Sequence, residues 1–73
     1  MKTIEMRRFT LERAEDVSGV SGTGIVAEGV EFSDGHIVMS WLGYHSSTVI
    51  YDNIKDLDHI HGHEGKTRVV WMD

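Results

Sequence analysis

Residues 25–42, IVAEGVEFSDGHIVMSWL, decide the fold of this 73-residue chain. Two stretches rich in apolar residues flank the dipeptide Asp34-Gly35. A two-residue type I′ turn requires positive φ at both of its positions, and Asp-Gly is among the pairs that accommodate this. The pattern therefore predicts a β-hairpin with one strand over 25–32 and the next over 36–42.

The first strand of this hairpin changes its apolar parity halfway along. Ile25 and Ala27 lie on one face of an ideal strand, whereas Val30 and Phe32 lie on the other. A glycine inside a strand often marks a β-bulge, which inserts one residue and resets the face. We therefore expect a bulge at Gly29.

Upstream of the hairpin, residues 7–13 alternate polar and apolar side chains with period two. This places Phe9 and Leu11 on one face and predicts a half-buried strand. Residues 14–24 show no period and contain several serines and glycines, which favour turns. We expect this segment to form one long structured loop.

Downstream of the hairpin, residues 48–51 predict a fourth strand, after which the apolar spacing changes to three. That spacing predicts a helix of about two turns over 54–61, with Asp52 or Asn53 as its N-cap. Residues 68–72 predict the last strand.

This order of elements predicts a mostly β protein with a single domain over residues 1–73. Strands joined by tight turns favour a closed or nearly closed barrel, since closure removes unpaired edges. The layout resembles a small five-stranded SH3-like barrel, in which a long first loop separates the first two strands and a short helix precedes the last strand.

Two of the predicted strands are apolar on both faces. Val38 and Leu42 add a second apolar face to the third strand, and Val70 and Met72 do the same for the last strand. One barrel cannot bury both faces, so either the helix and long loop cover the second set or another copy of the chain does. Because so short a chain builds only a small core, we expect a homodimer or higher oligomer.

Composition excludes several classes of function. The net charge of −5 argues against nucleic-acid binding, which depends on lysine and arginine at phosphates. The absence of cysteine excludes disulfides and thiolate metal sites. No apolar run approaches the length of a membrane span, and residues 1–6 do not have the character of a signal peptide, so we expect a cytoplasmic protein with no membrane contact and no cofactor.

The loop over residues 18–24 has three glycines and three hydroxyl side chains, a composition suited to binding an anion through converging backbone N–H groups. It follows a strand and does not open a helix, so known phosphate-loop and dinucleotide motifs do not apply. The alternative is a tight loop that needs glycine only to fold. The candidate ligand-binding residues are Ser18, Ser21, Gly22, Thr23 and Gly24, together with the basic residues Arg8, Lys66 and Arg68, which are otherwise solvated surface charges.

Three histidines near the helix end invite a metal site, but their spacing is poor for one. His59, His61 and His63 are two residues apart, and such positions point to different sides of a helix. We expect no metal. Nothing in the chain places a nucleophile beside a base or pairs two carboxylates in a cleft, so we also expect no enzymatic activity and no catalytic residues.

The run over residues 18–35, followed by Trp41-Leu42, Tyr51-Asp52-Asn53-Ile54 and the stretch over 60–67, resembles an uncharacterised family of short proteins from tailed phages and bacterial prophage genomes. The resemblance spans residues 8–73. It carries over no functional residues. It implies a phage accessory protein acting in the host cytoplasm, of the kind that blunts a host defence or redirects a host protein.

Two functions follow as hypotheses. The first is anti-defence ligand binding, in which the glycine-rich loop and the basic residues sequester a nucleotide-derived or other anionic signal molecule. The second is an acidic inhibitor or adaptor that binds a basic patch on a host protein such as a nuclease or polymerase. The acidic residues for the second function are Glu15, Asp16, Glu28, Glu31, Asp56 and Asp58.

Overall fold

The computed structural model describes residues 3–14, 24–43, 46–61 and 67–73. Its elements are five strands and one helix, in the predicted order. They are β1 (Arg7–Arg13), β2 (Gly24–Glu31), β3 (Ile37–Trp41), β4 (Thr48–Tyr51), α1 (Ile54–His61) and β5 (Thr67–Trp71).

The five strands form one antiparallel sheet in the order β4-β3-β2-β1-β5. The first four strands form a meander, and β5 returns to pair with β1. Helix α1 contacts both β4 and β5, so it connects the two edges of the strand order. The predicted fold class, a mostly β, SH3-like arrangement with a short helix before the last strand, is confirmed.

The core lies on the face of the sheet that α1 covers. Phe9 and Leu11 of β1 are buried there, as their alternation predicts, and Leu57 of α1 is fully buried against them. Trp71 packs edge-on against Phe9, with ring centroids 5.5 Å apart. Among the described residues, the other buried apolar side chains are Val26, Ala27, Ile37 and Met39.

The hairpin between β2 and β3 forms where predicted, but its turn differs. Gly35 N donates to the carbonyl of Phe32 at 2.9 Å, and Phe32 N donates to His36 O at 2.8 Å. Ser33, Asp34 and Gly35 therefore form a three-residue loop, with Gly35 at φ +97°, and the predicted two-residue turn is wrong. His36 N donates to Asp34 Oδ1 at 3.0 Å, which lowers the pKa of Asp34 and fixes the loop from within.

A register shift in β2 lies at Val26, three residues before the predicted position. Leu11 pairs with Ala27 but Glu12 pairs with Ile25, so Val26 is the additional residue. Both Val26 and Ala27 are consequently buried. Gly29 pairs in regular register with Phe9, so a bulge at Gly29 was the wrong expectation.

Helix α1 begins after Asn53, whose Oδ1 accepts a hydrogen bond from Asp56 N at 2.9 Å. Of the two predicted N-caps, Asn53 is therefore the one used. No helix in the described ranges is both long and apolar enough to span a membrane.

Candidate functional site at the loop end of the sheet

The sheet has two ends that carry different groups. We call the end formed by Arg13, Gly24, Trp41 and Thr67 the loop end, because β1 and β3 finish there and β2 and β5 begin there. The opposite end, which carries the β2–β3 hairpin, is the hairpin end.

The predicted ligand residues divide between these two ends. Gly24 and Arg68 lie at the loop end, where Gly24 pairs with Arg13 and Arg68 pairs with Glu12. Arg8 lies four strand positions from Glu12, about 13 Å along β1. The structure thus brings Gly24 and Arg68 to one end of the sheet and separates Arg8 from them. The other candidates, Ser18, Ser21, Gly22, Thr23 and Lys66, lie outside the described residues.

Arg8 is engaged by the end of the chain. Its Nη2 lies 2.6 Å from Asp73 Oδ1, and its Nε and backbone N donate to Asp73 Oδ2 at 3.0 and 2.8 Å. These hydrogen bonds lower the pKa of Asp73 from its usual 3.8 to about 2 and raise the pKa of Arg8. The Arg8 guanidinium is therefore already paired with the Asp73 carboxylate.

Gly24 and Arg68 form the rim of the loop end. Gly24 has φ +81°, a conformation that side chains rarely adopt, although a Cβ there would meet no atom within 4 Å. Its glycine is required by the backbone conformation and not by lack of space. Arg68 is exposed and lies opposite Glu12, on the face away from the core.

Arg13 is the site residue that the sequence reasoning missed. It is only 4% exposed, and its side chain follows Phe9 and Leu11 onto the core face. Its Nε donates to Thr67 Oγ1 at 3.0 Å, and Thr67 is itself 2% exposed. The guanidinium carbon lies 5.8 Å from the Trp41 ring centroid, near the outer limit for a cation–π contact. A buried cation thus lies at the end of the sheet where β1 ends and β2 begins, on either side of the glycine-rich segment in the sequence.

Arg7 gives an internal comparison, because it occupies the equivalent place at the hairpin end. Its guanidinium carbon lies 3.8 Å above the Trp71 ring, and its Nη2 forms a 2.8 Å ion pair with Glu31. Each end of β1 therefore has an arginine beside a tryptophan. In the described part of the chain a carboxylate neutralises Arg7, which is 44% exposed, but none forms an ion pair with the more deeply buried Arg13.

Extending the period-two pattern by one step would have identified Arg13. The alternation that places Phe9 and Leu11 in the core also places Arg13 there. A charged side chain at a core position is rarely left without a partner of opposite charge or several hydrogen bonds. Chemically, the loop end offers a desolvated guanidinium whose fork-shaped set of donors fits a phosphate or carboxylate.

The histidines do not form a metal site in the described residues. His59 is exposed on α1 and borders a shallow hollow that Tyr51 and Asp56 also line. No group of three metal-ligating side chains converges anywhere in the described ranges. The side chains of His61 and His63 lie outside them.

Together, the strand order and the two ends of β1 define a small antiparallel β protein in which Arg7 forms an ion pair with Glu31 and Arg13 donates a hydrogen bond to Thr67. The chain belongs to the Acb5 phage protein family, whose model matches residues 6–73. The predicted relationship to a family of short phage proteins is thereby confirmed, and the family is consistent with a phage accessory protein. No curated protein and no solved structure matches the chain.

Proposed function

We propose that this protein is a non-enzymatic accessory factor that sequesters a small anionic molecule, of the nucleotide-derived kind used as a defence signal, at the loop end of its sheet. Arg13 is the anchoring residue. The observation that supports this is the burial of its guanidinium beside Thr67 and Trp41, with no ion-paired carboxylate in the described residues.

Burial makes Arg13 a stronger anion ligand than the exposed arginines. Removing a charge from water is costly unless an anion compensates for it. No carboxylate of the described residues forms an ion pair with Arg13, so we expect its guanidinium to favour binding of an anion. The fork of N–H donors fits two oxygens of a phosphate at once.

The glycine-rich loop and Lys66 complete the site in this proposal. In the sequence, the glycine-rich segment lies between the end of β1 at Arg13 and the start of β2 at Gly24, and Lys66 directly precedes Thr67. Backbone N–H groups of a Ser-Gly loop would add neutral donors, and Lys66 would add charge. Arg8 has no part in this site, because it lies at the hairpin end with Asp73.

The acidic balance of the chain fits a small ligand better than a polymer. A net charge of −5 repels an extended nucleic acid. The single buried guanidinium of Arg13 would still bind a compact anion. Sequestration also requires no reaction, which agrees with the expectation that this chain is not an enzyme.

Thermal unfolding of the purified chain with a ligand panel tests the proposal. The probes are AMP, ATP, GTP, cyclic di-AMP, cyclic di-GMP and inorganic pyrophosphate. A probe at about 100 times its Kd stabilises by about 2.7 kcal/mol, which raises the Tm of a domain this small by roughly 10 to 20 °C. Arg13→Met should abolish that rise.

Arg7→Met is the matched control, since it removes the other arginine that lies beside a tryptophan. Each variant is compared with its own Tm without probe, so a change in basal stability does not enter the result. We expect Arg7→Met to keep the probe-dependent rise. No rise with any probe, or equal loss in both variants, would overturn the proposal.

The inhibitor or adaptor hypothesis has less support from the structure. Glu31 forms an ion pair with Arg7. Glu28 lies on the sheet face away from the core. Asp56 and Asp58 lie on α1, which covers the other face of the sheet. Glu15 and Asp16 lie outside the described residues. The proposed acidic surface is therefore divided between two sides of the molecule.

A further inference from the structure

The register shift in β2 decides which residue lies opposite Arg13. Val26 is the additional residue of β2, so Arg13 pairs with Gly24. In an unbroken register Ile25 would take that place, and direct partners in an antiparallel pair point to the same face of the sheet. Its side chain would then lie on the core face beside Arg13. With the additional residue, Ile25 instead pairs with Glu12 on the opposite face, where it is 56% exposed.

The two register partners of Arg13 therefore differ in what they place beside it. On the β5 side, Thr67 Oγ1 accepts the hydrogen bond from Arg13 Nε at 3.0 Å. On the β2 side, Gly24 has no side chain, and a Cβ built there would meet no atom within 4 Å. The positive φ of Gly24 keeps most other residues out of this position. Only one of the two partners thus covers Arg13 with a side chain.

The charge next to this uncovered position is also unmatched in the described residues. None of the ion pairs there includes Arg13. The carboxylate of Glu12, the preceding residue of β1, lies on the other face of the sheet, because neighbouring positions on a strand point to opposite faces. There Glu12 Oε2 accepts a hydrogen bond from Thr10 Oγ1 at 3.4 Å. The space over Gly24 is therefore beside a cation, and no described carboxylate fills it.

We propose that the space over Gly24 is the approach by which an anion reaches Arg13, and that the additional residue in β2 keeps this approach open. The approach has a role only if Arg13 binds an anion, so it rests on the proposed function. The gap left by one absent side chain admits a phosphate or carboxylate group. The anionic group therefore enters first, and the remainder of the ligand stays outside.

Gly24→Asp tests the geometry, because it places a carboxylate directly across from Arg13. Direct partners have Cβ atoms about 4.5–5.5 Å apart, which allows an ion pair. Gly24→Asn is the neutral match, since Asn and Asp tolerate positive φ better than other side chains. At pH 7 we expect Gly24→Asp to unfold about 4–8 °C above Gly24→Asn. The difference should shrink as pH falls and the introduced carboxylate takes up a proton.

The same nucleotide and pyrophosphate probes test the approach itself. We expect Gly24→Asp to weaken binding of any probe that stabilises the parent chain by about tenfold or more, because the introduced carboxylate competes for Arg13. Ile25→Asp is the matched control, since it adds the same charge one residue away on the opposite face. It should bind that probe like the parent chain. Circular dichroism verifies that the three variants fold.

NMR of the parent chain adds a measurement that needs no substitution. When a probe shifts the Arg13 Nε–H signal, the backbone amide signal of Gly24 should shift with it, while that of Glu31 at the other end of β2 stays in place. No response of the parent chain to any probe would overturn the proposed function and this approach with it. A response that Gly24→Asp retains, an unmoved Gly24 amide, or equal Tm for Gly24→Asp and Gly24→Asn at pH 7 would overturn the approach alone.

Discussion

Arg13 and Thr67 are 54 positions apart in the chain, yet Arg13 Nε donates to Thr67 Oγ1 at 3.0 Å within the core side of the sheet. The antiparallel pairing of β1 with β5 creates this contact, since Arg13 and Thr67 are direct partners in the register. Both side chains are almost completely buried. This hydrogen bond therefore holds the charged Arg13 side chain at one end of the core.

The first prediction concerns this pair. Thr67→Val removes the acceptor and leaves a buried N–H donor unpaired, which should lower the free energy of unfolding by about 1–3 kcal/mol. In an Arg13→Met background the same change should cost much less, because the donor is gone. Urea unfolding of the four members of this cycle measures the coupling. Equal costs in both backgrounds would show that the hydrogen bond does not contribute.

Gly29 gives a second prediction, on packing. A Cβ at this position would lie 2.5 Å from Phe9 Cζ and 2.6 Å from the Val38 carbonyl oxygen, and the backbone atom cannot move aside easily. Gly29→Ala should destabilise the chain by about 1–3 kcal/mol, as overpacking does. Gly43→Ala is the control, since a Cβ at Gly43 meets nothing within 4 Å. If both variants unfold at the same urea concentration, Phe9 does not pack across Gly29 as described.

The third prediction concerns the start of α1. Asn53→Ala removes the side-chain acceptor for Asp56 N and should cost about 1 kcal/mol. Asn53→Asp retains an N-cap acceptor and should remain close to the parent chain. Thermal unfolding followed by circular dichroism compares them. A parent-like Tm for the alanine variant would contradict the assigned cap.

The pair between Arg8 and Asp73 gives a fourth prediction, on pH. Hydrogen bonds from the Arg8 side chain and backbone hold the pKa of Asp73 at about 2 in the folded chain, below its usual 3.8. A lowered carboxyl pKa stabilises the fold above the unfolded value, and that contribution disappears as pH falls through the folded value. The parent should therefore lose more stability than Asp73→Asn between about pH 4 and about pH 2. The difference should be small, since both side chains are partly exposed. Parallel losses in urea unfolding at the two pH values would contradict it.

Local patterns in the sequence were sufficient to predict the elements of this fold. Each pattern used depends on residues that are close to one another in the sequence. The patterns are the alternation at Phe9 and Leu11, the Asp34-Gly35 dipeptide, and the apolar spacing of three after Tyr51. The bounds of β1, β4 and α1 agree with their predicted ranges.

Features that depend on tertiary contacts were harder to predict. The additional residue in β2 is Val26, whereas Gly29 pairs in regular register with Phe9, whose ring lies against it. The hairpin loop has three residues, since the Asp34 side chain satisfies His36 N and Gly35 alone takes positive φ. No local pattern indicated that Asp73 would bind Arg8, because the two residues are 65 positions apart in the chain.

The candidate site was only partly predictable for the same reason. Charge and composition indicated a glycine-rich loop and several basic residues, but they could not say which of those residues share one end of the sheet. Strand pairing separates Arg8 from Gly24 and Arg68 and brings Arg13 beside Thr67.

The most direct test of anion binding at Arg13 is the ¹H–¹⁵N NMR spectrum of the arginine Nε–H groups, recorded as the same nucleotide and pyrophosphate probes are added. Arg13→Lys and Arg7→Lys spectra assign the two signals. We predict that at least one probe shifts the Arg13 Nε–H signal in a saturable way while the Arg7 signal, held by Glu31, stays in place. An Arg13 signal that does not move with any probe would contradict the proposed site.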